Sequence, residues 1–353
     1  MIAKVLPHST CGLPNHLLVL PEVNLTSSLP AIRLTSSATE AIMTQGTQHS
    51  ADDPRNADIL ISVNGALKHR DQAMVSVFDS GFVLGDGVWE GFRVVNGRPA
   101  FLDAHLDRLY EGAKAILLDI GLDRAQLTRA IYDTLEANGM HGDGVHVRLM
   151  VTRGVKRTPY QDPRVTIGPA TIVIIPEYKA ASAETAERGL SLFTVHVRRG
   201  YPDVQDPKLN SHSKLNCITA CIQAYAAGAD EALMLDPHGF VATCNSTHFF
   251  IVRKGEVWTS TGQYCLGGIT RGNVIALCRD NGIPVFEKSF SLTDVYGADE
   301  AFVTGTFAGV VPVHTIDGRA IGEHGKARGP MVERLQALYQ ALVARDVAGR
   351  VRS

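Results

Sequence analysis

The order of strand-like and helix-like segments is the feature that most constrains the fold of this chain. Helical spacing of apolar residues predicts helices over 102–118, 123–138, 215–227, 271–281 and 330–344. Short stretches of strand-like composition predict strands over 58–67, 74–78, 145–152, 170–175, 190–197, 231–236, 249–253, 257–259, 301–304 and 310–315. Because strands and helices mix without strict alternation, the pattern favours an α+β fold over a doubly wound parallel sheet.

A small, polar, glycine-terminated stretch divides the chain. It is AASAETAERG, residues 180–189, and this composition is typical of a linker. A length of 353 residues is compatible with two domains of about 150 residues each. We therefore predict a smaller N-terminal domain over 57–180 and a larger domain over 188–345.

The beginning of the chain differs from the rest. The stretch before Met43 is rich in Ser, Thr, Leu and Pro, and its only acidic residues are Glu22 and Glu40. It lacks the continuous apolar core of a secretory signal, and a transit peptide is the alternative to a simple extension. We expect residues 1–50 to form a poorly ordered extension.

Charge and cysteine usage exclude several classes of partner. Lys and Arg total 34 against 36 Asp and Glu, so the chain lacks the basic excess of nucleic-acid-binding proteins. The longest apolar stretches, such as 170–176, are far shorter than the ~20 residues of a membrane span. Six cysteines form no CxxC pair and no cluster with metal-ligand spacing. We expect free thiols, a cytoplasmic protein, and no bound metal, nucleic acid or membrane.

Six segments in the order of a known family carry the strongest functional signal. They are FDSGFVLGDGVWEGFRV (78–94), FLDAHLDRLYEGAKAI (101–116), SKLNCITACIQAYAAGADEALMLD (213–236), GFVATCNSTHFFIV (239–252), LGGITRGNVIALC (266–278) and DEAFVTGTFAGVVPV (299–313). Together they resemble the class IV aminotransferases, pyridoxal-phosphate enzymes of fold type IV, over residues 57 to 345. The resemblance implies a small antiparallel α/β domain, a larger pseudo-barrel domain, and a homodimer with active sites near the subunit interface.

Lys214 is the candidate for the Schiff base with pyridoxal phosphate. Such a lysine needs a lowered pKa, which burial and nearby cations provide. Lys214 precedes a helix with apolar residues at Leu215, Ile218 and Ile222, so we expect its surroundings to be buried. The family's lysine falls at this place. The alternatives are a solvated lysine at a helix start, or Lys208 as the reactive amine.

The phosphate of the cofactor needs backbone N–H groups and an arginine. The glycines before Ile269 lead into a predicted helix, whose first turn would suit an anion. The resemblance places the amides of Ile269 and Thr270, and of Thr306 and Phe307, on the phosphate. It also assigns Arg108 to the phosphate. The alternative for Arg108 is a surface ion pair with Asp107 or Glu111.

Thr243 marks a departure from the family. The family usually has a glutamate here that keeps the ring nitrogen of the cofactor protonated. A threonine hydroxyl can bond a neutral nitrogen but cannot balance a full positive charge. We hypothesise that the bound cofactor has a less protonated ring nitrogen in this protein, so that carbanion stabilisation is weaker or partly reassigned.

Four residues are candidates for binding the substrate. The resemblance places Trp89 in the lining and Arg93 in a WEGFR pattern typical of branched-chain enzymes. It matches Arg148 to an arginine that helps bind a substrate carboxylate; the alternative is a buried structural salt bridge. Arg157 lies in a loop resembling one that carries a carboxylate arginine in D-amino-acid aminotransferases. His146 shares a strand face with Arg148, and His105 and His212 are interpreted as structural.

The function implied is transamination between an amino donor and a keto-acid acceptor. Branched-chain L-amino acids with 2-oxoglutarate are preferred because of Arg93 and Arg148. Gly309 stands where the family usually has a glutamate, which weakens that preference. The alternatives are D-amino-acid or (R)-amine transamination, lyase chemistry on aminodeoxychorismate, or a weakly active cofactor-binding protein.

Overall fold

The fold is described from a computed structural model, for residues 46–47, 52–181, 183–322 and 328–349. These residues belong to one compact unit, Thr44–Ser353. The extension predicted for residues 1–50 therefore lies outside the described residues, except for Gly46 and Thr47. Thr47 is buried, and its backbone N–H donates a hydrogen bond to the Glu231 carboxylate at 3.3 Å.

An antiparallel sheet forms the first half of the fold. Its strands are β1 (Leu60–Val63), β2 (Ala66–His69), β3 (Gly87–Val95), β4 (Arg98–Pro99), β5 (Val145–Thr152) and β6 (Thr171–Tyr178). They lie in the order β2-β1-β6-β5-β3-β4. The helices of this half are α1 (Ser80–Leu84), α2 (Leu102–Ala115) and α3 (Arg124–Ala137). Helix α3 starts after Asp123 because that side chain and Gln126 form a capping box.

A mixed nine-stranded sheet forms the second half. Its strands are β7 (Leu190–Thr194), β8 (Glu231–Leu235), β9 (Val241–Cys244), β10 (His248–Arg253), β11 (Glu256–Thr259), β12 (Val285–Glu287), β13 (Glu300–Gly305), β14 (Gly309–Ile316) and β15 (Arg319–Ala320). They lie in the order β12-β11-β10-β13-β14-β7-β8-β9, with β15 beside β14. Only three residues separate β9 from β10. Strand β9, which is last in the order, therefore lies close to β10, which is in the middle of it.

Helices cover the second sheet and connect its strands. They are α4 (Ala183–Arg188), α5 (Pro202–Gln205), α6 (Leu215–Ala226), α7 (Ile269–Asp280), α8 (Leu292–Tyr296) and α9 (Pro330–Ala348). Short 3₁₀ helices occur at Pro54–Asp58, Arg70–Gln72 and Pro163–Val165. None of the helices in the described ranges combines the length and apolar character that crossing a membrane requires.

Strand alternation in β5 separates a packing face from a functional face. Val145, Val147, Leu149 and Val151 are buried in the core that α2 and α3 form with the first sheet. The residues between them face the other way, because successive side chains of a strand point to opposite sides. His146 and Arg148 therefore share the face of β5 that looks away from that core.

The predicted α+β class is confirmed, and most predicted helices and strands are present within a few residues of their expected ends. The strand predicted over 74–78 is wrong: the segment has no regular ladder, and Met74 and Val77 are 72% and 68% exposed. The predicted linker contains helix α4.

Helix α6 corrects a further expectation about burial. Leu215, Ile218 and Ile222 are exposed in the isolated chain, whereas Ala220 and Ala224 are buried. The helix packs its small residues beside β8, since these allow close approach, and leaves its large apolar residues outside. The apolar residues at the start of α6 therefore do not account for the burial of Lys214.

Candidate active site

A cavity of about 400 Å³ lies between the two sheets. The first sheet contributes residues of β3 and β5, and the second contributes the loop before α6, the β9–β10 turn, the start of α7 and the β13–β14 turn. The lining includes Trp89, Arg108, His146, Arg148, Arg199, Asn210, Lys214, Cys217, Thr243, Ser246, Thr247, His248, Gly268, Ile269, Thr270, Thr304, Thr306 and Phe307. Nine of the candidate site residues predicted from the sequence thus line this one cavity.

Lys214 lies on the cavity wall as the residue preceding α6. Burial lowers the pKa of its amine to about 8, and the positive charges of Arg199 and Arg108 act in the same direction. Its Nζ donates a hydrogen bond to Asn210 Oδ1 at 3.0 Å and lies 5.4 Å from the centre of the Trp89 ring. Lys208, the alternative amine, is exposed and is not one of the residues that line the cavity.

Helix α7 presents its N-terminus to the cavity. Gly268 is the capping residue and provides no side-chain hydrogen bond, so the first N–H groups of the helix are available to a ligand. His248 donates from Nε2 to Leu266 O at 2.7 Å and packs on Gly268. A Cβ at residue 268 would clash with the His248 ring, so glycine is needed there. Burial lowers the pKa of His248 to about 4, and the ring is neutral at neutral pH.

Arg108 stands beside this helix start. It donates from Nε and Nη2 to the buried Glu90 carboxylate at 2.8 and 2.7 Å, and from Nη1 to Gly267 O at 2.8 Å. Burial alone would raise the pKa of Glu90, but hydrogen bonds from His105 and Arg108 outweigh it and the net shift is downward. The surface ion pair considered for Arg108 is not found in the part of the chain that the structure describes, where Asp107 pairs with Arg124.

Arg148 lies over the ring of Trp89. Its guanidinium carbon is 3.9 Å from the ring centre, which is a cation–π contact. Among the residues that the structure describes, no carboxylate forms a salt bridge with Arg148, so the structural salt bridge considered as an alternative is not found. Burial lowers the pKa of this guanidinium, but not enough to discharge an arginine.

His146 lies next to Arg148 on the same face of β5. It is buried and packs edge-on against Phe307, with ring centres 5.7 Å apart. Burial, followed by the charge of Arg148, lowers the pKa of His146 to about 3, so its imidazole is neutral at neutral pH. A neutral imidazole can both donate and accept a hydrogen bond.

Arg93 and Arg157 do not reach the cavity lining in this chain. Arg93 lies on β3 opposite His146, farther along the strand than Trp89 and Gly91. Arg157 is exposed in the loop after β5. Sequence reasoning missed Arg199, Asn210 and His248, since they occur in loops or at a strand start where periodicity carries no signal.

Thr243 lies buried in the β9 wall. Its Oγ1 donates a hydrogen bond to Thr247 O at 2.8 Å, and Thr247 Oγ1 donates to Glu231 Oε2 at 2.7 Å. The lining contains no Asp or Glu within the described ranges, whereas Arg108, Arg148, Arg199 and Lys214 all contribute positive charge. The cavity is therefore suited to an anionic ligand with more than one negative group.

Comparison with known proteins places this arrangement in a family. The family described as Amino-transferase class IV matches residues 87–316, which is more than half of the chain. The chain belongs to the class IV aminotransferases. The resemblance found in its six segments is thereby confirmed, and Lys214, Ile269, Thr270, Thr306 and Phe307 all lie within the matched range.

Two relatives and one solved structure extend the comparison of this class IV aminotransferase. The branched-chain-amino-acid aminotransferase-like protein 2 of Arabidopsis thaliana is 40% identical over 82% of this chain, but the chain spans only 51% of that plant protein. A putative branched-chain-amino-acid aminotransferase of Methanocaldococcus jannaschii is 40% identical over 79% of this chain and 95% of its own. The branched-chain amino acid aminotransferase of Thermobaculum terrenum, solved in its PLP form, has a TM-score of 0.72 at 26% identity, covering 82% and 96% of the two chains.

Proposed function

We propose that this class IV aminotransferase uses pyridoxal 5′-phosphate to transfer the amino group of branched-chain L-amino acids to 2-oxoglutarate. The observation that carries the proposal is one cavity that combines the partly buried Lys214 amine, an open helix N-terminus beside Arg108, and Arg148 on the opposite sheet. A relative at 40% identity is named as a putative branched-chain enzyme.

The residues present fit this cofactor. A phosphate suits the amides of Ile269 and Thr270 at the start of α7, since helix N-termini bind anions. Arg108 is held at that place by Glu90 and Gly267. The buried hydroxyl of Thr304 lies in the wall and has no hydrogen-bond partner within the described residues. We propose Thr306 and Phe307, from the β13–β14 turn, as the second amide pair.

The role of each side chain in the reaction follows from its position in the cavity. Pyridoxal phosphate, when bound, supplies an aldehyde that bonds to amines and a ring that delocalises electrons from the substrate α-carbon. Lys214 Nζ, once free, would take the proton from the substrate α-carbon as general base and would deliver it, as general acid, to the carbon that supplied the aldehyde. Arg148 holds a substrate carboxylate, and the cation–π contact with Trp89 holds the guanidinium in place.

The experiment that tests the function is a donor screen on the purified protein. We expect L-leucine, L-isoleucine and L-valine to convert the bound cofactor to its aminated form, followed by absorbance, and 2-oxoglutarate to reverse the change. D-alanine and an (R)-amine serve as controls of opposite handedness. Faster conversion by either control would overturn the substrate assignment, and no conversion by any donor would overturn the enzymatic assignment.

We also propose that the ring nitrogen of the bound cofactor is largely unprotonated. Two observations support this: the Thr243 hydroxyl already donates to Thr247 O, and no carboxylate lines the described cavity. With ¹⁵N-labelled cofactor, the ring-nitrogen shift is expected in the neutral-pyridine range, and Thr243→Glu is expected to move it towards the protonated range. A protonated shift in the unmodified protein would contradict the proposal.

We propose a homodimer in which α6 contributes to the interface. Four large residues of this helix are more than half exposed: Leu215 (73%), Ile218 (52%), Ile222 (60%) and Tyr225 (58%). Contiguous exposed apolar residues are typical of interaction surfaces. Ile218 also lines the cavity, which would bring the active site close to the interface.

Light scattering tests the dimer directly. We expect twice the 38.1 kDa chain mass for the unmodified protein and a shift towards the single-chain mass for Ile222→Glu, because a buried unpaired carboxylate is costly. Leu117→Glu is the control, since Leu117 is 88% exposed and follows α2 rather than belonging to α6. Equal masses for both variants would argue against α6 as the interface.

We propose a cytoplasmic location. Five cysteines lie in the described ranges, and all of them carry free thiols. Free thiols are typical of a reducing compartment. Cell fractionation with an antibody tests this, and recovery in an oxidising compartment would contradict it.

A further inference from the structure

The amine of Lys214 is held by a residue that the reaction scheme above does not use. Nζ donates to Asn210 Oδ1 at 3.0 Å, across four residues of the loop that leads into α6. Asn210 is 5% exposed and lines the same cavity. Its amide oxygen is therefore a buried acceptor placed beside the reactive amine.

The orientation of the Asn210 amide is determined from its other end. Nδ2 donates to Trp89 O at 2.6 Å and approaches Glu90 Oε1 at 3.5 Å, and both of these atoms are acceptors. The backbone is tied to the same strand, since Trp89 N donates to Asn210 O at 3.1 Å. Because only the NH₂ end can bond to these acceptors, the oxygen must face Lys214.

We propose that Asn210 is a positioning residue that holds the Lys214 amine by one N–H whenever the amine is not bonded to the cofactor. A neutral amine has N–H groups and one lone pair. With one N–H bonded to Asn210, the rotation of the amine is restricted and the lone pair is kept available for the substrate proton. This inference rests on the proposed role of Lys214.

The acceptor type matters for the charge of the lysine. An amide oxygen favours the protonated amine only weakly, whereas a carboxylate at the same place would favour it strongly. The other groups that act electrostatically on Lys214 are Cys217 on α6, Arg199 in the loop after β7, Arg108 on α2 and Glu90 on β3. Of these groups, Glu90 also contacts Asn210, through Nδ2 at 3.5 Å, so a substitution at Asn210 removes that contact in both variants alike.

The test uses the enzyme loaded with pyridoxamine phosphate, in which Lys214 is free, and mixes it with 2-oxoglutarate in single-turnover experiments across pH. The rate should rise with pH as Lys214 loses its proton. We expect Asn210→Leu to lower the plateau about 10-fold and to shift the midpoint to lower pH, because an acceptor for the ammonium is lost. Asn210→Asp should shift the midpoint to higher pH.

Gln205→Leu is the matched control. Gln205 Nε2 donates to Ser211 Oγ and Ser213 O, so it ties the same loop without contacting Lys214. A loop that is merely loosened would change all three variants alike and would not shift the midpoint in opposite directions. Unchanged midpoints in both Asn210 variants, with the cofactor still attached to Lys214, would overturn this inference alone. Attachment to another residue would overturn the proposed function as well.

Discussion

Lys214→Ala is expected to abolish covalent cofactor attachment and to reduce turnover by at least about 10³-fold. General acid–base catalysis alone contributes about 10² to 10⁴-fold, and this variant also removes the group that bonds to the cofactor. Burial lowers the pKa of Lys214 to about 8. Near pH 7 roughly one amine in ten is then neutral, compared with far fewer for an unperturbed lysine.

Borohydride reduction followed by peptide mass spectrometry measures the attachment. We expect the adduct on the peptide that contains Lys214, and loss of the visible absorbance band in Lys214→Ala. Lys208→Ala is the matched control, since Lys208 is exposed and lies outside the lining. An adduct on Lys208, or turnover retained in Lys214→Ala, would refute the assignment of the reactive amine.

Arg148→Leu is expected to lower kcat/KM for 2-oxoglutarate by about 100-fold. Hydrogen bonds to charged groups contribute about 1.5–3 kcal/mol each, and the leucine leaves a buried substrate carboxylate without its partner. The loss should appear mainly in KM if Arg148 binds ground state and transition state equally. Steady-state kinetics with varied acceptor concentration checks both parameters.

Three variants make this prediction specific. Arg148→Lys should recover only part of the activity, because an ammonium cannot reproduce the contact of the guanidinium with the Trp89 ring or a bidentate contact with a carboxylate. Arg93→Leu and Arg157→Leu should have smaller effects, since neither side chain reaches the lining in this chain. A larger loss in Arg157→Leu than in Arg148→Leu would reverse the assignment of the carboxylate arginine.

The fold was predictable where local chemistry dominates. The Asp123 cap and the Gly139 stop bound helix α3 close to the predicted ends, and the strand over Val145–Thr152 matches its prediction. Residues 74–78 were predicted as a strand because their side chains favour strands, yet the segment forms no regular strand. Whether apolar residues pair, pack or remain exposed depends on what lies opposite them, which composition does not record.

The candidate site, like the fold, was only partly predictable from the sequence. Motif order was enough to nominate Lys214, Arg108, Arg148 and the two amide pairs as members of one site. It could not show that Glu90 holds Arg108, that Trp89 supports Arg148, or that Asn210 bonds to Lys214. These contacts join residues from separate loops and strands, and sequence spacing predicts contact only within a single helix or strand.

The class of fold, the family and the reactive residue types follow from the amino-acid sequence, because periodicity, caps and ordered motifs are local properties. The folded chain was needed to show which arginines reach the cavity, that no acidic side chain lines its described wall, and that the apolar face of α6 is exposed. Electrostatic environment and burial depend on neighbours that are distant in the chain. They exist only once the two sheets have come together around the cavity.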